Sequence, residues 1–178
     1  MKKFYVTTAI AYVNAAPHIG FAMEVIQADA LARYHRLIGD DTFYLTGVDE
    51  HGVKLYETAK EAGMETQAFA DMNAEKFKAL KGILNLSNDD FIRTTSDLHK
   101  RAAKKIWTKM FEKGDIYKSS YKGNYCVGCE SFLPDKDLDE EGNCKIHKKK
   151  PKVLEEENYF FKLSKYSDQI KKLIESDK

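Results

Sequence analysis

Two hydrophobic patterns, a continuous apolar run and a helical repeat, stand out in the first part of the chain. The run over 4–13 is β-branched and aromatic with little alternation, which predicts a strand buried on both faces of a parallel sheet. From Pro17 to Ile38 apolar residues recur at helical spacing, and Gly39 is a suitable C-terminal stop. The apolar face of this helix comprises Phe21, Ala22, Val25, Ile26, Ala28, Leu31, Ala32 and Leu37. Thr42–Leu45 predicts a second short strand, so the order is that of a βαβ unit.

The pattern continues as an α/β sequence and then changes. Helices are predicted over 51–62 and 66–83, a strand over Asp90–Thr94, and a helix that Ser96 caps and Gly114 ends. Together these elements predict an α/β fold with a doubly wound parallel sheet. A domain boundary is predicted near 115. Beyond it, short aromatic strands are predicted around a polar segment over 135–157, at Ile116–Lys118, Tyr121–Tyr125 and Asn158–Phe161. Ser164 is predicted to cap a last helix that runs to the end.

Composition narrows the class of protein. The chain is 43% hydrophobic and 32% charged with a formal net charge of +1, which gives no global preference for nucleic acid. Its apolar runs fall short of the ~20 residues that span a bilayer, and the threonine- and tyrosine-rich N-terminus fits a buried strand better than a signal peptide. Three cysteines, an odd number, fit a reduced cytoplasmic chain better than a disulfide framework.

The cysteines form a candidate metal site. Cys126 and Cys129, then Cys144 and His147, make two pairs of ligand type with two residues between the members of each pair. Three thiolates and an imidazole suit zinc better than calcium or magnesium, and a closed set of four ligands is typical of structural zinc. The alternative is three unrelated reduced cysteines and a surface histidine.

A second candidate site lies where the first strand leads into the first helix. A helix N-terminus attracts phosphate, since its N–H groups are unpaired and its dipole favours negative charge. His18 stands there, and Gly20 permits close approach of the backbone. The chain has neither GxGxxG nor a P-loop motif. The alternative is that His18 only packs or caps the helix.

Several segments together resemble the class I aminoacyl-tRNA synthetases, and more narrowly the methionine enzymes. His18–Phe21 is similar to their "HIGH" signature, Ile10–Asn14 to the strand that lines the amino-acid pocket, and Thr46–Gly52 to "TGTDEHG". Further similar segments are Phe91–Thr95, Lys113–Tyr117 and Glu156–Phe161. The resemblance implies the first half of a Rossmann-like (HUP-type) catalytic domain over 1–115, a connective insertion with a zinc knuckle over 116–162, and a helix over 163–178.

The resemblance also implies an activity and a set of site residues. It implies ATP-dependent activation of methionine to methionyl-adenylate and transfer to methionine tRNA, with magnesium accompanying ATP. The residues it implies are His18 and Gly20 for catalysis; Pro17, His18, Gly20 and Phe21 for ATP; and Ile10, Ala11, Tyr12 and Asp49 for methionine. Asp49 would bind the α-ammonium group. A capping carboxylate for a helix that starts near His51 is the alternative for that residue.

The chain departs from the family pattern in two ways. Phe21 replaces the last histidine of the signature, which removes one of two imidazoles from the ATP site. The second Rossmann half, the KMSKS loop and the anticodon-binding domain of the family are missing, so we expect this chain to be the N-terminal part of an enzyme that needs them as partners. Lys162–Tyr166 is interpreted as a strand-to-helix passage rather than as a KMSKS loop. The alternative functions are a non-catalytic Rossmann and zinc module that binds tRNA or a partner protein, and a generic nucleotide-binding fold.

Overall fold

The computed structural model describes residues 1–176, and their contacts separate into two compact units, 1–100 and from Arg101 onward. The N-terminal unit contains β1 (Lys3–Thr7), β2 (Ala11–Tyr12), α1 (Ile19–Leu37), β3 (Asp41–Asp49), α2 (Val53–Glu61), α3 (Thr66–Ile83) and β4 (Asp90–Arg93). After α4 (Asp97–Glu112), the C-terminal unit has β5 (Ile116–Cys126), β6 (Ser131–Leu133), β7 (Lys152–Phe161) and α5 (Ser167–Glu175), with 3-10 turns at Asp135–Asp137 and Leu163–Tyr166. Within residues 1–176, each helix is too short or too polar to cross a membrane.

Strand β3 is the centre of a four-stranded parallel sheet. β1 and β2 pair with β3 along one edge, and β4 pairs with it along the other. The α/β class and the βαβ unit are therefore confirmed, but the single strand predicted over 4–13 is wrong. It is interrupted because the Ala9 N–H donates to Glu24 Oε1 of α1 at 2.6 Å instead of extending the ladder with β3.

The helices α1, α2 and α3 bury their apolar sides against one face of this sheet. Their shared core comprises Val13, Phe21, Val25, Val48, Leu55, Ala59, Phe69, Ala70, Ala74, Phe77 and Leu86. Strand β1 alternates between half-buried and exposed residues, so its predicted burial on both faces is wrong. Tyr5 is 61% exposed and lies beside Phe43 of β3, which leaves an aromatic surface on the opposite face.

Helix α1 begins and ends close to the predicted residues, with one polar residue on its buried side. Gly39 follows the helix with a φ of +90° and its N–H bonds the Arg36 carbonyl, as expected of a C-terminal stop. Asp29, which the apolar spacing passed over, is 7% exposed. Its carboxylate accepts the Ser87 N–H and hydroxyl at 2.5 and 2.7 Å and Arg33 Nε at 2.6 Å.

Apart from β3, the elements from α2 to α4 follow the sequence closely. Helices α2 and α3 and strand β4 begin and end within two residues of their predicted bounds. Ser96 accepts the His99 N–H at 3.3 Å, as a capping serine should, and Gly114 after α4 has a φ of +70°. The predicted short strand Thr42–Leu45 is too short, because β3 continues to Asp49 between β2 and β4.

The C-terminal unit is built on a long antiparallel ladder. The two short strands predicted at Ile116–Lys118 and Tyr121–Tyr125 are wrong, because β5 is one continuous strand. The strand predicted at Asn158–Phe161 is too short, because β7 begins at Lys152, inside the segment over 135–157 that is predicted to be only polar. The predicted cap at Ser164 is also wrong, since Ser164 lies in a 3-10 turn and α5 starts later without a side-chain cap. Lys165 in that turn bonds the buried Asp115 carboxylate, which fits a strand-to-helix passage.

Candidate functional site

Tyr12 and Asp49 lie side by side at the carboxyl edge of the parallel sheet. They are direct partners in the register of β2 and β3, and the Val13 N–H bonds the Asp49 carbonyl at 3.3 Å. Neighbours in register point to the same face, and here it is the face that α1, α2 and α3 leave uncovered. Ala11 pairs with Val48 and packs against the core on the other face. Ile10, 38% exposed, lies in the interruption between β1 and β2.

One oxygen of the Asp49 carboxylate is held by two donors. Asp49 Oδ1 accepts the His51 backbone N–H at 3.1 Å and the Thr94 hydroxyl at 3.3 Å. Helix α2 starts at Val53 with Gly52 as its N-cap and no side-chain cap. Asp49 therefore does not cap the helix, and the capping alternative is wrong.

Glu50, the next residue, belongs to a buried ionic network that sequence reasoning missed. Its carboxylate is 0% exposed and accepts Arg93 Nε at 2.7 Å and the Thr95 hydroxyl. Arg93 also bonds Asp71, and this hydrogen bond lowers the pKa of that exposed carboxyl. Burial opposes the charge on Arg93, but Glu50 and Asp71 outweigh it and raise the Arg93 pKa. An acidic residue beside Asp49 and a basic residue in β4 were the available signals.

His18 is the N-cap of α1. Its Nδ1 accepts the Gly20 N–H at 3.0 Å, and the backbone is extended, with φ −115° and ψ 172°. His18 thus caps the helix, and its ring is exposed. A β-carbon on Gly20 would lie 2.8 Å from His18 Cε1, so glycine is needed beneath the imidazole. Pro17 precedes the cap and is half-buried.

Phe21 is placed in the core rather than at the exposed end of the helix. It is 6% exposed, and its ring meets that of Phe77 of α3 edge-on, with 5.0 Å between centroids. The four residues His18–Phe21 are therefore divided between an exposed cap and a buried anchor. Aromatic pairs of this geometry add about 1 kcal/mol to the burial of their surface.

The four predicted metal ligands converge in the C-terminal unit. The ligand atoms of Cys126, Cys129, Cys144 and His147 all lie within 4.8 Å of one another and could hold a metal ion. Cys129 Sγ lies 3.6 Å from Cys144 Sγ and 3.2 Å from His147 Nδ1. A β-carbon on Gly128 would lie 2.5 Å from Cδ2 of His147, so the glycine gives the ring its space.

The ionisation of these thiols favours a cation among them. The His147 backbone N–H, 3.4 Å from Cys144 Sγ, lowers the pKa of that thiol to about 6. Burial and the neighbouring thiols raise the pKa of Cys129 to about 12. Like charges this close cannot all be present unless a positive charge balances them.

Comparison with known proteins gives one consistent result. The family model described as "tRNA synthetases class I (M)" matches residues 4–141 and 136–178. The methionine–tRNA ligase of Thermotoga maritima is 50% identical over 176 residues, covering 97% of this chain and 28% of the relative. That of Streptomyces coelicolor is 48% identical, with 95% and 33% covered.

Solved structures agree with the sequence comparison. The methionyl-tRNA synthetase of Mycobacterium tuberculosis in complex with methionyl-adenylate superposes with a TM-score of 0.92 at 43% identity, covering 99% of this chain and 35% of that one. The chain thus spans about a third or less of the length of these relatives. The resemblance and the Rossmann-like α/β fold expected from it are confirmed, and the chain belongs to the class I tRNA synthetases of the methionine type.

Proposed function

We propose that this chain supplies the methionine- and ATP-binding part of a methionine–tRNA ligase. The observation that carries the proposal is the pair at the carboxyl edge of the sheet, where Asp49 offers a carboxylate beside the ring of Tyr12. Ligands of open α/β sheets bind at this edge. We assign 1–115 to the first half of the catalytic domain, 116–162 to the connective insertion and 163–178 to the helix that follows.

Methionine recognition requires an anion for its ammonium group and an apolar surface for its thioether. Asp49 binds the α-ammonium group, and it suits this role because both hydrogen bonds recorded to its carboxylate within residues 1–176 use Oδ1. Tyr12 and Ile10 contact the thioether side chain. Ala11, whose side chain faces the core, contributes its backbone.

ATP binds at the N-terminus of α1. Pro17, His18 and Gly20 form its entry, and Phe21 anchors that turn in the core. The methionine carboxylate attacks the α-phosphorus, the bond to pyrophosphate breaks, and methionyl-adenylate forms. His18 stabilises the phosphate charge that builds up during this step, which is mainly a matter of positioning and electrostatics. Mg²⁺ bound to ATP would supply positive charge that balances its phosphates.

Zinc is the metal that fits the cluster of the C-terminal unit. Zn–S bonds of ~2.3 Å in a tetrahedron place sulfurs about 3.8 Å apart. The separation of 3.6 Å between the sulfurs of Cys129 and Cys144 falls near this value. With a Zn–N bond of ~2.0 Å the nitrogen would lie about 3.5 Å from each sulfur, and the distances from His147 Nδ1 to the three sulfurs are 3.2, 3.8 and 3.8 Å. Four protein ligands leave no open position, so the zinc is structural and holds the turns beside β5 and β6 together.

Transfer to methionine tRNA belongs to the whole enzyme. The chain spans 28% of its Thermotoga maritima relative, and we propose that a second catalytic half and an anticodon-binding domain act with it, in the cytoplasm. The alternative, a non-catalytic module that binds tRNA or a partner protein, is favoured by Phe21, because a phenylalanine at this position leaves one signature imidazole.

The test is methionine-dependent exchange of pyrophosphate into ATP, with leucine as the control substrate. The chain is assayed alone and mixed with a separately expressed C-terminal half. We expect exchange with methionine only, lost in Asp49→Asn and His18→Ala. Asp41→Asn, at the exposed opposite end of β3, should keep it. Silence in both arms from folded, zinc-loaded protein would favour the non-catalytic alternative.

A further inference from the structure

Thr94, the residue after β4, connects the ends of two strands of the sheet. It is 5% exposed, and its N–H bonds the Val48 carbonyl at 3.4 Å. Its hydroxyl meets two groups of β3 and the loop that follows: the Glu50 N–H at 2.8 Å and Asp49 Oδ1 at 3.3 Å. Neither the sequence patterns nor the proposed set of methionine ligands gave this residue a role.

The chemistry of a hydroxyl fixes the direction of both hydrogen bonds. A backbone N–H can only donate, so the Thr94 oxygen accepts from Glu50. An ionised carboxylate can only accept, so the single Thr94 proton goes to Asp49. Together with the His51 N–H, this bond occupies Oδ1 and fixes the rotation of the carboxylate, so that Oδ2 is the oxygen that a ligand meets.

The adjacent ionic network isolates the charge of Asp49. Glu50 is next to it in sequence, but its buried carboxylate is directed to Arg93 at 2.6 Å, and Arg93 also bonds Asp71. Within residues 1–176, the ion pairs of this network join Arg93 to Glu50 and Asp71, and Asp49 is not part of a recorded ion pair. A cation that arrives at this edge therefore finds one carboxylate whose charge is unpaired and whose orientation is fixed.

We propose that Thr94 is a positioning residue for the amino group of the substrate. Its hydroxyl orients Asp49 so that Oδ2 receives the α-ammonium group of methionine. The inference rests on the proposed function, in which Asp49 is the ammonium ligand. It predicts a loss of affinity that is confined to ligands with an amino group.

The experiment measures binding of three ligands to the whole chain by calorimetry. L-methionine carries both charged groups, L-methioninol lacks the carboxylate, and 4-(methylsulfanyl)butanoate lacks the amino group. Thr94→Val keeps the shape and removes the hydroxyl. We expect it to raise the Kd of the two amines about tenfold, the scale of one hydrogen bond to a charged group, and to leave the third ligand unchanged. Thr94→Ser, which keeps the hydroxyl, should restore the affinity.

Two further measurements separate the possible failures. In a protein that already carries Asp49→Asn, Thr94→Val should not raise the Kd of the two amines any further, because the carboxylate that Thr94 orients is gone. Equal weakening of all three ligands, or no rescue by Thr94→Ser, would reduce Thr94 to a structural role.

The ¹³Cγ chemical shift of Asp49 in the free protein should change in Thr94→Val and not in Thr94→Ser. If the unaltered chain binds no methionine, either alone or mixed with the separately expressed C-terminal half, the proposed function fails. An unchanged ¹³Cγ shift separately rejects the hydrogen bond.

Discussion

His18 Nδ1 accepts the backbone N–H of Gly20 at 3.0 Å. Because this nitrogen accepts, it carries no proton, and the neutral imidazole must hold its proton on Nε2. The cap therefore leaves a donor on an exposed ring at the N-terminus of a helix, where an anion is favoured. Capping and phosphate binding, which are alternatives from the sequence, are compatible in one geometry.

Gly20→Ala should disturb this cap. The new β-carbon would approach His18 Cε1 to 2.8 Å and Nδ1 to 3.0 Å, so the ring must turn away and the hydrogen bond is lost. We expect a loss of about 1 kcal/mol in the free energy of unfolding, as for other N-caps. Urea denaturation followed by circular dichroism measures it.

The matched control for this substitution is Gly82→Ala in α3. A β-carbon there meets nothing within 4 Å, so alanine should stabilise the helix slightly. If Gly20→Ala proved as stable as Gly82→Ala, the imidazole would not depend on the glycine.

Gly128→Ala should weaken metal binding without removing a ligand. The added carbon would lie between 2.5 and 2.9 Å from three atoms of the His147 ring and push Nδ1 away from the thiols. Disturbing the groups that orient a metal ligand typically lowers the metal affinity about tenfold or more. Competition with a chromophoric chelator gives the zinc affinity, and Ser131→Ala, at an exposed position of β6, should match the unaltered chain. Equal affinities in both variants would show that the ring has room to move.

The sequence predicted the convergence of these four ligand-type side chains because its information is local. Each pair of ligands is separated by two residues, and the glycines that permit the turns are adjacent. The break between β1 and β2 could not be predicted in the same way. It depends on Glu24, which reaches the Ala9 N–H only after α1 has folded back on the sheet.

The extent of β3 shows the same limit. A run of apolar residues ends at Leu45, but pairing with β2 and β4 carries the strand on to Asp49. Gly47 fits this strand because a β-carbon there would lie 2.2 Å from the Ile92 carbonyl oxygen. The register that places Tyr12 beside Asp49 and the role of Thr94 both come from strand pairing. Single-residue patterns carry no information on that pairing.

Phe21→His, which restores the family signature, should destabilise this chain. The phenyl ring is buried against Phe77, and an imidazole there would lose the aromatic contact and bury polar nitrogens. We expect a loss of about 2 kcal/mol relative to Phe21→Leu, which stays apolar. Thermal or urea unfolding of the two variants decides the point. Equal stability would mean that the imidazole reaches solvent or a partner, and the variant would then be worth testing for faster pyrophosphate exchange.

Asp29 should make the stability of the chain depend on acidity. Burial alone would raise its pKa, but hydrogen bonds from Ser87 and Arg33 outweigh burial and hold the pKa below its usual value. A carboxyl with a lowered folded pKa contributes stability above its unfolded pKa of about 3.9, and this contribution is lost as the pH falls through the folded value. The stability should therefore decline in that acidic window.

Asp29→Asn isolates this contribution. At pH 7 we expect it to unfold about 2 kcal/mol more easily, because Arg33 and Ser87 lose a charged acceptor. The difference from the unaltered chain should shrink below pH 4, where Asp29 of the unfolded state begins to take up a proton, and should disappear as the pH falls through the lowered folded pKa. Urea titrations between pH 7 and pH 3 measure both effects, with the exposed Asp41→Asn as control. A gap between Asp29→Asn and the unaltered chain that stayed constant over this range would show that the Asp29 charge does not stabilise the fold, and that the cost of the substitution is steric.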